Sequence, residues 1–329
     1  MKTITRYFPA FVLGLFFLLG RQTNAASQVK GTVTDTSGQP VEGAEVQLHA
    51  AVEGYLPREL RLEAKAITDA KGGFELPASA RYGRYSFIVV RKPGLANGWV
   101  EANQRPAEPI RITLTQPASV AGKVVDEAGK PVPGADVHAT AVYCSASATS
   151  GRRSFHYLPG SLARQLYKTK AGDDARFRID GFPTNAAVSF AASAAGKATP
   201  CEDSEMIGPG LMQCVAGTED VELMLQATGS VEGKIVMPES SHPVPTAGLV
   251  LDRGPSAEWD SGLEVWSKAD GSFLITNVPA GLYKLGAVFG TNTLPEWVAE
   301  SVQVAIEPGR TTTGVEIRAA HGGVLEVSV

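Results

Sequence analysis

The chain contains 5 histidines and 3 cysteines, the residues with most chemistry to offer, and their spacing offers little. A zinc hydrolase needs a close ligand pair such as His-x-x-Glu. Here His49, His138, His156, His242 and His321 are followed by AAV, ATA, YLP, PVP and GGV. A G-x-x-x-x-G-K-S/T phosphate loop and a G-x-S-x-G nucleophile elbow are both absent. These residues predict a protein that is not an enzyme, with no metal and no cofactor. Cys144, Cys201 and Cys214 are too widely spaced for a zinc knuckle, and an odd number leaves one thiol over. Cys201 and Cys214 flank CEDSEMIGPGLMQC, whose Gly-Pro-Gly can fold the loop back. They are the expected disulfide, with Cys144 a small buried apolar residue. A bridge from Cys144 to Cys201 stays open, because spacing does not fix connectivity.

Two groups of residues suit binding rather than catalysis. Trp99 and Trp297 each stand the same distance along the chain after a tyrosine, Tyr85 and Tyr283, so they are expected at equivalent places. An open indole face is a stacking platform for a sugar ring, with Asn97, Asn103, Asn292 and Glu296 near in sequence to bond its hydroxyls. The plainer alternative is that both rings plug the ends of their domains. The second group is GRRSFHYLPGSLARQLY at 151–167, where Arg152, Arg153 and Arg164 alternate with Phe155, Tyr157 and Tyr167. That mixture suits an adhesive loop or a local anionic site, or else a solvated hairpin that closes its own small cluster.

These residues hang on a repeated framework. VAGKVVDEAGKPVPGADV at 120–137 reads as a strand with Val120, Gly122 and Val124 on one face, a turn from Asp126 to Gly129, and a proline-marked start to a second strand. Asp126 can bond the backbone of its own turn, and Gly129 can adopt positive φ. Related openings begin at Val29, VKGTVTDTSGQPVEGAEVQLHA, and at Val231, VEGKIVMPESSHPVPTAGLVL. The starts lie roughly a hundred residues apart, too far for a solenoid and suited to domains. A second block, ADGSFLITNVPAGLYKLGAVF at 269–289, supplies a turn and two alternating strands. DAKGGFELPASARYGRYSFIVV at 69–90 and GDDARFRIDGFPTNAAVSFAA at 172–192 match it, and closing strands follow at 110–114, 221–225 and 315–318. The expected fold is all-β: tandem antiparallel Ig-like or prealbumin-like β-sandwiches of about seven strands each.

The pairing of G-x-V-x-D-x-x-G-x-P-V-x-G-A-x-V with D-x-x-G-x-F-x-I/L-x-x-x-P-x-G-x-Y resembles the carboxypeptidase regulatory-like domain, in about three tandem copies. The third copy departs where Met237 to His242 replace the usual Asp-containing turn, and the second has Val188 near where Tyr85 and Tyr283 stand. The resemblance implies a prealbumin-like sandwich, close to the starch-binding and Cna-B-type folds. It also implies an accessory module, since such domains occur in peptidases, surface proteins and transport receptors of the bacterial envelope. The Tyr-Arg-Gly-Ser ending of the related transthyretin-like hydrolases is absent. A Cna-B-type isopeptide bond would join a buried first-strand lysine to a last-strand asparagine. Lys123 and Lys234 sit on first strands, but the last strands hold no Asn, and alternation turns Lys123 to solvent.

The beginning of the chain bears on compartment. Lys2 and Arg6 precede an apolar run at 11–20 and a polar stretch ending Thr23-Asn24-Ala25, the layout of a cleavable secretory signal. The run is shorter than the about 20 residues of a spanning helix, so no integral membrane span is expected after cleavage. The formal net charge is −4 and becomes more negative without Lys2, Arg6 and Arg21, which argues against nucleic acid as a partner. The expected plan is a signal peptide at 1–25, sandwiches at 26–116, 117–227 (with an insertion at 144–168) and 228–320, and the start of a fourth repeat at 321–329. Polar joints near Gln116-Pro117 and Thr228-Gly229 predict domains that fold independently, with little apolar surface between them. The expected function is a secreted, periplasmic or cell-surface spacer or protein-interaction module, whose partner is an unknown protein or glycan of the cell envelope. The alternatives are carbohydrate binding through exposed tryptophans, and an accessory segment of a secreted metallocarboxypeptidase or larger surface protein.

Overall fold

Apolar and polar residues alternate through most of this chain, and a strand turns successive side chains to opposite faces. The computed structural model describes residues 28–51, 60–77, 85–102, 109–145, 155–200, 214–237, 246–252, 265–289 and 296–322. In β1 (Gln28–Asp35) Val29, Gly31 and Val33 face inward while Gln28, Lys30 and Thr32 face solvent. β2 (Glu45–Ala51), β3 (Leu60–Ile67), β4 (Gly73–Pro77), β5 (Ser86–Arg91), β6 (Gly98–Glu101) and β7 (Ile110–Leu114) complete the first sandwich. One sheet has the order β4-β1-β7, with β1 antiparallel to β4 and parallel to β7. The other has the order β3-β2-β5-β6. Val46, Leu48, Ile88 and Val90 meet Val33, Phe74, Leu76 and Ile112 between the two.

The same pairing recurs twice. In the second sandwich β8 (Pro117–Asp126) stands where β1 did; β12 (Arg176–Pro183) is antiparallel to it and β16 (Val221–Val236) parallel. The facing sheet is built on β9 (Asp136–Ser145) and β13 (Ala187–Ala194), flanked by the short β10 (Phe155–Leu158), β11 (Lys168–Lys170), β14 (Lys197–Ala198) and β15 (Cys214–Val215). The single helix among the described residues, α1 (Gly160–Leu166), follows β10. In the third sandwich the second half of β16 lies between β19 (Ser272–Pro279), antiparallel, and β23 (Thr311–His321), parallel. β17 (Ala247–Asp252), β18 (Val265–Trp266), β20 (Gly281–Phe289) and β22 (Val302–Ile306) form the facing sheet, in the order β18-β17-β20-β22. The short β21 (Trp297–Ala299) pairs with β23. The chain is all-β and forms tandem sandwiches.

The repeated motif has a packing reason. A Cβ on Gly31 would lie 2.5 Å from the Ile110 carbonyl oxygen and 2.5 Å from Cζ of Phe74. Gly122 is pressed in the same way against the Val221 carbonyl and the Phe177 ring, and Gly233 against the Val315 carbonyl and the Phe273 ring. Each first strand therefore approaches its parallel neighbour at a glycine roofed by a phenylalanine. The turns after these strands are held as the sequence suggests. Asp35 Oδ1 accepts from the Ser37 and Gln39 amides at 2.8 and 2.9 Å, and Asp126 Oδ1 from those of Ala128 and Lys130 at 3.1 and 2.9 Å.

The joints differ from expectation. Thr228 and Gly229 are not a linker: they lie inside β16, one uninterrupted strand shared by the second and third sandwiches. A Cβ on Gly229 would come 2.8 Å from the Arg310 carbonyl oxygen, so the small residue marks a tight approach. At the first joint, one hydrophobic cluster contains Phe87, Val89 and Trp99 of the first sandwich together with Leu158, Leu162 and Phe182 of the second. Apolar surface is buried between these two, contrary to the small apolar contact expected from polar joints. The segments 1–25 and 323–329, with the leader and most of the anticipated fourth repeat, lie outside the described residues.

Candidate interaction sites at the sandwich junctions

The first junction follows from two strands that are covered on both faces. Every residue of β5 except Arg91 is buried, and so are the five central residues of β2. Ile88 and Val90 point into the first sandwich, whereas Phe87 and Val89 point the other way and belong to the cluster shared with the second. Trp99 is the cross-strand partner of Val89 and shares its outward face. The ring is 6% exposed and offers no open surface for a sugar. β10 and α1, part of the arginine-and-aromatic insertion, supply the cover: Leu158, Leu162 and Ala163 are fully buried in that cluster. The Asn97 amide donates to the Gly181 carbonyl oxygen at 3.0 Å, and Thr184 Oγ1 donates to that of Gln116 at 3.0 Å. Tyr167 stacks on Phe182 with ring centroids 4.1 Å apart, and burial raises its hydroxyl pKa. The insertion is a wedge between sandwiches; Arg152 and Arg153 lie outside the described residues.

Two buried polar atoms on this outward face have no hydrogen-bond partner, His49 Nδ1 and Trp99 Nε1. His49 Nε2 lies 3.0 Å from Gln47 Oε1. Burial, aided by the Lys65 charge, lowers the His49 pKa from 6.5 to about 4, so the imidazole is neutral at physiological pH.

Trp297 is not the counterpart of Trp99. It lies on β21, paired with β23, whereas Trp99 lies on β6, paired with β5 in the opposite kind of sheet. Its ring is 8% exposed, packs within the third core, and sits 3.9 Å from the His321 ring. Equal spacing from two tyrosines therefore did not imply equivalent positions. Glu296 is exposed beside it, and its carbonyl oxygen accepts from the Gly322 amide at 2.8 Å. Asn103 and Asn292 lie outside the described residues. The tryptophan that sequence reasoning missed is Trp266 on edge strand β18, 48% exposed and opposite Gly248. Its sequence neighbourhood, VWSK, carried no alternation long enough to read.

An open polar groove of about 700 Å³ lies between the second and third sandwiches, lined by Asp136, Ser193, Thr228, Ser230, Asn277 and Arg310. Its charges are already paired, Asp136 with Lys170 at 2.6 Å and Arg310 with Glu307 at 2.7 Å. Thr228 Oγ1 lies 3.1 Å from Asn277 Oδ1 and the Gly309 amide donates to the Thr228 carbonyl at 2.8 Å, so its floor is a structural joint. Lys123, the first-strand lysine, forms a surface ion pair with Glu222 at 2.8 Å. Among the described residues no cluster of histidine, cysteine or carboxylate side chains could hold a metal ion, and no helix is long and apolar enough to cross a membrane. Cys144 and Cys214 carry free, half-buried thiols, which burial raises to about 12 and about 11. Cys201, the expected partner of Cys214, lies outside the described residues.

A model of the carboxypeptidase regulatory-like domain matches residues 28–115. Among solved structures, the Bacillus anthracis TIE protein aligns over 89% of this chain at 11% identity and a TM-score of 0.23, and this chain spans 50% of its length. A Streptococcal ancillary pilin aligns over 89% of this chain and 99% of its own at 13% identity and a TM-score of 0.26. BcpA, the major pilin subunit of Bacillus cereus, aligns over 90% and 99% at 11% identity and a TM-score of 0.23. At such scores no function passes from these proteins to this chain. No curated protein matches it.

Proposed function

We propose that this chain, whose first sandwich is a carboxypeptidase regulatory-like domain, is an exported, non-catalytic spacer that holds apart what lies at its two ends in the cell envelope or outside it. One observation carries this reading. In every sandwich the first and last strands are parallel neighbours, so the chain enters each at one end and leaves at the other. An antiparallel first and last pair would bring entry and exit together. The cleavable leader layout at 1–25 belongs to the same reading, as does oxidation of the Cys214 thiol with Cys201 once the chain is exported, because export permits a disulfide.

The test is the distance between fluorophores placed on unnatural amino acids at positions 30 and 318. A spacer gives a long mean distance with a narrow spread. A short or broad distribution overturns the reading. Peptide mapping without reduction checks the disulfide, and recovery of Cys144 in a linked peptide would replace the pairing.

A second reading, glycan binding, is supported by Trp266 alone, since Trp99 and Trp297 are buried. Retention on polysaccharide that disappears in Trp266→Ala at unchanged melting temperature would favour it, and no retention by the wild type would remove it.

A further inference from the structure

We propose that the chain carries mechanical tension along its length, through a line of three strand pairs loaded in shear. This rests on the spacer reading and adds where the load runs. β1 and β7 are in parallel register from Gly31↔Ile110 to Asp35↔Leu114. β8 and β16 are likewise paired from Gly122↔Val221 to Asp126↔Leu225, and β16 and β23 from Ser230↔Thr311 to Val236↔Arg318. When a unit is pulled by its ends, its first strand is drawn one way and its last the other. Being parallel neighbours, they slide along their own axes, and the interstrand hydrogen bonds resist together. The same ladder pulled from one end opens bond by bond at lower force.

The joints keep the load on this line. Only Thr115 and Gln116 separate β7 from β8, and Gln116 is held by the hydroxyl of Thr184. β16 ends the second pair and begins the third without a break. Force thus passes from pair to pair along the backbone and does not cross the facing sheets. Each loaded pair also has a glycine of its first strand set against its partner's backbone carbonyl, Gly31, Gly122 and Gly233, beneath the buried rings of Phe74, Phe177 and Phe273. A ring over the ladder keeps water from replacing the interstrand bonds and strengthens them by lowering the local dielectric.

The test is single-molecule pulling of the chain from residue 26 to its end, held by peptide handles. Forced unfolding reports the barrier and not the equilibrium stability. Pulling end to end should rupture the first sandwich at a force about twofold or more above that needed when the handles are at the N-terminus and beside Pro109, which peels the β1/β7 ladder from one end. Phe273→Leu, at the loaded pair, should lower the rupture force of the third sandwich. Leu251→Ala, in the facing sheet, should lower its melting temperature and leave the rupture force nearly unchanged. Equal forces in the two pulling directions, or equal loss in the two variants, would overturn the proposal. Either result with a long, narrow end-to-end distance would leave the spacer reading standing, whereas a short or broad distance would remove both.

Discussion

At residue scale the most informative positions are the glycines that open each repeat. Alternation places Gly122 on the inward face beside Val120 and Val124, but why it is glycine depends on a carbonyl at Val221, about a hundred residues away in sequence. Gly122→Ala and Gly233→Ala should each cost about 1 to 3 kcal/mol, because the added methyl meets backbone that cannot rotate away; denaturant melts of the two variants check this. The histidines predict the acid limb of the stability curve. The unfolded chain binds a proton at His49 more readily than the folded one, since burial and Lys65 lower the folded pKa from 6.5 to about 4. Its contribution is complete above pH 6.5 and is lost as pH falls from 6.5 towards 4, by up to about 3 kcal/mol. His138 acts in the same direction through burial and Arg164, opposed by Asp136. The midpoint of urea unfolding should therefore fall between pH 6.5 and 4, and fall less in His49→Gln. A pH-independent midpoint over that range would mean that the imidazoles are hydrated in solution.

At the scale of elements, the fold was legible and the junction was only half so. Alternation, turn signals and threefold agreement indicated the sandwiches. The sign of the first junction was also present in SFIVV, where apolar or small residues run on without alternation, though not in VQLHA, whose Gln47 and His49 alternate with apolar residues. Such runs mark strands covered on both faces. What covers them was hidden, because the insertion's arginines and aromatics suggested a surface loop, while its Leu158, Leu162 and Ala163 did the packing. Leu162→Asp should therefore loosen two sandwiches although it lies in one. A buried, unpaired carboxylate costs several kcal/mol, so limited proteolysis should cut near the first joint in the variant and not in the wild type. Cleavage confined to the insertion itself would show that α1 supports only the second sandwich. Trp99 and Trp297 belong to this scale too. Their spacing was readable, but whether the chain next joins β5 or crosses to the opposite sheet is decided by packing, which spacing does not encode.

For the whole molecule, polar residues at the joints suggested independent units, and the structure gives a different grouping. Thr228 and Gly229 are small and polar because strands crowd there, not because the chain is loose. The cores divide unequally: the first sandwich has a core of its own, with Val33, Leu48 and Ile88, but its Leu60, Phe87, Val89 and Trp99 join the core of the second, while the third, with Phe273, Tyr283, Leu285 and Trp297, shares no cluster with either. Heat should accordingly melt the first two as one cooperative block and the third as another. Enthalpy scales with the number of residues that unfold together, so calorimetry of the chain from residue 26 should show two transitions, one with about twice the enthalpy of the other. The segment 26–116 alone would expose Phe87, Val89 and Trp99, and should melt well below the larger block and bind a hydrophobic dye. Three separate transitions, with the isolated segment melting where it does in the whole chain, would show that the shared cluster does not couple the sandwiches. A single transition would mean instead that the continuous strand β16 transmits cooperativity across the second joint as well.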